Sequence, residues 1–66
     1  MDNNAVDYLK SEGFMVKKHK QPKDKTVFIA EKEGIYYLGT LTSNRVSVSS
    51  LELSLKQAEV AFVELT

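Results

Sequence analysis

"KTVFIAEKEGIYYLGTLT", residues 25–42, is the stretch that decides the fold. Val27 and Ile29 alternate with Phe28 and Ala30, so the first half reads as a strand with apolar side chains on both faces. Glu33-Gly34 reads as a hairpin turn, because glycine accepts positive φ. "IYYLGTLT" then returns as a second strand, opening on three bulky β-formers.

Working outward, "FMVKKHK" (14–20) reads as an earlier strand with Phe14 and Val16 on one face and Met15 on the other. "QPKD" (21–24) ends it, since Pro22 cannot donate to a ladder and favours a turn. "DNNAVDYLKSEG" (2–13) reads as a helix. Asn3 or Asn4 caps it, Asp7 lies in its first turn, Ala5, Val6 and Leu9 form its stripe, and Gly13 ends it. "SNR" (43–45) is another turn. Beyond it, "VSVSSLELSL" alternates as a strand would. Yet Leu51, Leu55, Ala58, Phe62 and Leu65 also share a helical face, and Ser49/Glu52 and Ser54/Gln57 both have capping-box spacing. The expectation is a fourth strand at about 45–48 and a helix from about 50 to 65; with Ser54 as the cap, the strand runs longer and the helix is shorter.

These elements add up to one α+β domain over residues 1–66. It is an antiparallel three- to four-stranded meander with an N-terminal and a C-terminal helix packed on one face, α-β-β-β-(β)-α. A chain of 66 residues has a marginal core, and with no cysteine it has neither disulfide nor thiolate metal site. One histidine rules out a multi-histidine zinc site, so self-association or a partner is the remaining support. "MDNNAVDYLK" has no apolar run of the signal-peptide kind, and no stretch approaches a membrane span; the expected location is the cytoplasm.

The chain is formally neutral, but its charge is segregated. Residues 1–13 carry three acids against Lys10, and residues 51–66 three acids against Lys56. Residues 14–25 hold five lysines against Asp24. Lys17, Lys18, Lys20, Lys23 and Lys25 are therefore the candidate contacts for a polyanion, with affinity that falls with salt. The plainer reading is that they solubilise an exposed hairpin and block edge-to-edge pairing. No aromatic residue interleaves with them to stack bases.

The element order resembles the double-stranded-RNA-binding domain, with Pro22, Phe28, Gly34 and "SLKQA" in matching places. Where that family has Lys-Lys-x-Ala-Lys, this chain has Leu55, Lys56, Ala58 and Glu59, so the resemblance is one of topology. The order also resembles the small HicA-type toxin ribonucleases, which carry a histidine on an early strand after Gly-Ser. His19 lies in a similar region but follows Lys18.

No catalytic constellation, cofactor motif or metal set emerges. Glu31 and Glu33 lie two apart with no third ligand, and the serines of "SVSS" suit a strand exit and caps. The surplus is apolar. Val60 and Val63 fall off the core-facing stripe, and one of Tyr36 and Tyr37 must point away from the helices. Tyr36, Tyr37, Val60 and Val63 are therefore the candidate protein interface. The expectation is a small, non-enzymatic regulatory protein that binds a protein partner or itself as a homodimer. Its composition is of the kind associated with bacterial or phage accessory proteins. Nucleic-acid binding by the 17–25 hairpin is the alternative; neither membrane nor small-molecule substrate is expected.

Overall fold

A computed structural model describes residues 3–43 and 45–66. Helix α1 (Asn3–Ser11) leads into strands β1 (Met15–Lys20), β2 (Lys25–Lys32), β3 (Ile35–Thr42) and β4 (Arg45–Val48), and helix α2 (Leu55–Leu65) closes the chain. The strands form one antiparallel sheet in the order β1-β2-β3-β4, as the meander reading required.

Strand β2 organises the core, with Thr26 to Ala30 all buried. Side chains alternate across a sheet, so these five residues demand cover on both faces. Val27 and Ile29 pack with Ala58 and Phe62 of α2, joined by Tyr36, Leu38 and Leu53. Phe28 and Ala30 pack with Leu9 of α1, joined by Phe14, Val16, Val46 and Val48. The two helices therefore lie on opposite faces of the sheet. The expectation of both on one face is corrected by the apolar side chains that β2 presents in both directions.

Helix α1 ends as Gly13 foretold. Gly13 takes φ 90°. Its N–H donates to the Lys10 carbonyl at 3.0 Å, and the Phe14 N–H donates to the Leu9 carbonyl at 2.9 Å. This Schellman pairing swings Phe14 back onto the cluster around Leu9. At the other end, Asn3 and Asn4 are already helical and Asp7 lies past the first turn, so none of the three has its expected place. The position before Asn3 lies outside the described residues. The β2–β3 turn places Glu33 at φ 54° and Gly34 at φ 81°, the two positive values of a type I′ hairpin. Ser43, with φ 37°, opens the β3–β4 turn, and its neighbour Asn44 lies outside the described residues.

Ser54 is the cap of α2. Its hydroxyl accepts from the Gln57 N–H at 3.2 Å, and the Gln57 side chain accepts from the Ser54 N–H at 2.9 Å. The helix thus begins at Leu55 rather than near residue 50, and Ser49/Glu52 is not a capping box. The preceding segment stays with the sheet. Ser49 donates to the Leu38 carbonyl at 2.8 Å, and Leu53 and Tyr36 exchange backbone bonds at 3.0 Å each. Ser50–Glu52 loops out between these two attachments, leaving Leu51 exposed and off any helical face.

Candidate interaction surfaces

Strand β1 carries an irregularity that decides where its lysines go. Val16 pairs with Ala30 and Lys18 with Ile29, so Lys17 is one residue too many. The extra residue reverses the alternation: Val16 faces α1, whereas Lys18 and Lys20, opposite Ile29 and Val27, face α2. The Lys18 ammonium reaches the Glu59 carboxylate of α2 at 4.0 Å and stands 5.6 Å from the Phe62 ring centroid. Lys17 pairs with Glu31 at 3.6 Å. Both are exposed pairs, each worth about 0–1 kcal/mol. Two of the five candidate lysines are therefore engaged within the molecule.

The other three gather at one end. Lys25 pairs with Thr42, and Thr42 with Arg45, which puts Lys25 and Arg45 in one cross-strand row on the α2 face. Lys20 lies on the same face one row inward, and Lys23 occupies the adjoining 21–24 loop. The opposite end, at the Glu33–Gly34 turn, gathers Glu31, Glu33 and Glu52 beside Lys32. With Asp24 in the same 21–24 loop and Lys17 tied to Glu31, the ends still differ: the loop end is net basic and the turn end weakly acidic. Arg45, which makes the basic end a cluster of four, carries no signal in the sequence until the β3–β4 turn brings it back beside Lys25.

The four interface candidates do not form one surface. Tyr36 packs half-buried in the α2-side cluster. Tyr37 meets Phe14 edge-on at 5.5 Å on the α1 side. With a helix on each face, neither tyrosine points away from both. Val60 and Val63 remain together on the outer side of α2, 55% and 68% exposed, flanked by Lys56, Gln57 and Glu64.

Two further hollows adjoin β4. On the α1 side, a groove of about 580 Å³ and mixed polarity runs between Ala5 and Tyr8 of α1 and Leu41 and Val46 of the sheet, with Asn4, Ser43 and Arg45 also lining it. On the α2 side, Leu51 (64% exposed) and Leu65 (49%) line a hollow with Ser47 and Val48. The alternating "RVSV" signals a strand, and its place last in the order β1-β2-β3-β4 makes it an edge with one line of backbone groups unpaired.

His19 is an exposed strand residue opposite Phe28. Glu31 is tied to Lys17 while Glu33 sits in the turn, so the two carboxylates do not work as a pair. Among the described residues there is no cluster of three or more potential metal ligands, and no helix is long and apolar enough to cross a membrane. Compared with protein-family models, curated proteins and solved structures, the chain matches none of them.

Proposed function

We propose that this is a small interaction protein, acting by binding a protein partner through the outer side of α2 and not by catalysis. The observation that carries the reading is the pair Val60 and Val63, more than half exposed on a helix whose inner side is already satisfied by Ala58 and Phe62. An apolar centre with a rim of Lys56, Gln57 and Glu64 has the anatomy of a recognition patch. The test is a photo-crosslinking side chain placed at Val63 or, separately, at Lys23, in cells that express the chain. Discrete protein adducts at position 63 that vanish with Val60→Asp support the reading. Position 63 yielding no more adduct than a solvent-exposed control contradicts it.

A second reading is favoured by the grouping of Lys20, Lys23, Lys25 and Arg45 at one end: a sequence-independent contact with nucleic acid. Four phosphate contacts give an affinity that falls with salt at a log–log slope of about −3 to −4. Fluorescence anisotropy with short duplexes and single strands measures that slope. Binding lost in Lys20→Glu, Lys23→Glu, Lys25→Glu supports this reading, and no binding at low salt ends it.

A further inference from the structure

Among the described residues the sheet has two free edges, and they are built differently. The β1 edge carries Lys17, Lys18 and Lys20 and is kinked by the extra residue at Lys17, two devices that prevent strand addition. The β4 edge is regular, has one charge in Arg45, and is flanked by an apolar hollow on the α2 side and by a groove of mixed polarity, with Leu41 and Val46 in its floor, on the α1 side. We infer that β4 is a self-association edge, and that its occupant is β4 of a second copy of this chain, paired antiparallel about a two-fold axis through Ser47.

The register follows from the hydrogen-bond ladder. Ser49 donates inward to Leu38. In an antiparallel pair inward and outward groups alternate, so Arg45 and Ser47 also bond to β3, while the N–H and C=O of Val46 and Val48 point outward. A two-fold axis at Ser47 sets Val46 against Val48 of the second copy, and Val48 against its Val46. All the outward groups of those four valines then find partners. On the α1 face the valines, already half-buried, complete two apolar rows, each made of Leu41 and Val46 of one copy and Val48 of the other.

Charge selects a second copy as the occupant. In this register no like charges face each other. Arg45 lies opposite Ser49 of the other copy, alongside the Ser49–Glu52 segment whose single charge is Glu52. The chain is neutral overall, so two copies approach without net repulsion. The same operation on β1 would lay lysine against lysine. This surface is separate from the outer side of α2, and the inference stands or falls independently of the partner proposed there.

The axis offers a direct test. Ser47 is exposed, and Ser47 of each copy would face the other as a close, non-hydrogen-bonded pair, a geometry that accepts a disulfide. In a glutathione redox buffer, Ser47→Cys should form the covalent dimer on the order of 100-fold faster than Val63→Cys, because docking supplies the effective concentration. In sedimentation equilibrium the wild-type chain should rise toward twice its 7.4 kDa mass with concentration. Ser47→Lys should hold it at the single-chain mass with unchanged circular dichroism. Equal disulfide rates at positions 47 and 63, or a wild-type mass that stays at 7.4 kDa, would overturn the inference. A faster disulfide at 63 also overturns it, and makes a second copy the partner of α2 instead.

Discussion

The two edge strands of one sheet show how differently a small protein treats the same hazard. Strands β1 and β4 both offer a line of unpaired backbone groups. In β1 the chain inserts Lys17, turns Lys18 and Lys20 to the α2 face, and ties Lys18 to Glu59. In β4 it leaves four regular residues between two hollows, the one on the α2 side apolar. The lysine run, the most conspicuous feature of the sequence, belongs in part to the defence of an edge. The short "RVSV", legible in the sequence only as a strand, is the edge left open.

The comparison can be broken most severely at the irregularity itself. Deleting Lys17 forces β1 either to shift register or to turn Phe14 and Val16 away from Leu9 and Phe28. Losing the burial of these side chains costs about 3 kcal/mol. Urea unfolding measures it, and a loss under about 1 kcal/mol would mean that the extra residue does not set the facing.

The next change strikes the floor beneath β4. Gly39 lies between Phe28 and Val48 in the register, and a Cβ there would run into the Phe28 ring. Gly39→Ala should cost about 2 kcal/mol through overpacking and should disturb association through β4. Thermal unfolding, with the solution mass measured alongside, checks both parts.

The sequence made the strands, the Gly13 stop, the Glu33–Gly34 turn and the Ser54/Gln57 spacing legible, because each depends on neighbours along the chain. The placement of the helices on opposite faces is legible too, in the both-sided apolar pattern of Val27 to Ala30; a one-faced meander would leave Phe28 and Ala30 uncovered. What neighbours could not reveal was long-range. The extra residue in β1 is defined only against β2. The looping-out of Ser50–Glu52 is defined only by Leu53 returning to Tyr36, and those sheet hydrogen bonds hold extended a segment whose leucines share a helical period. Of the candidate sites, Val60 and Val63 keep their exposed place, the tyrosines are split between faces, and Arg45 joins the lysines only through folding.

Smaller effects separate stability from association. Ser54→Ala removes one half of the reciprocal cap and should cost about 1 kcal/mol without changing the solution mass, because the cap touches neither edge. Lys18→Thr with Lys20→Thr should move stability by no more than about 0.5 kcal/mol, as surface changes do. It should nevertheless let β1 associate, visible as a concentration-dependent mass that Ser47→Lys no longer abolishes. If the double threonine variant behaves as the wild type does, the kink at Lys17 is enough to guard that edge without Lys18 and Lys20.

The inequality of the two edges is tested most directly by amide hydrogen exchange at two protein concentrations. The Val46 and Val48 amides should exchange freely when dilute and become protected when concentrated, while the solvent-facing amides of β1 exchange freely at both. Equal exchange at the two edges, unchanged by concentration, would contradict the account.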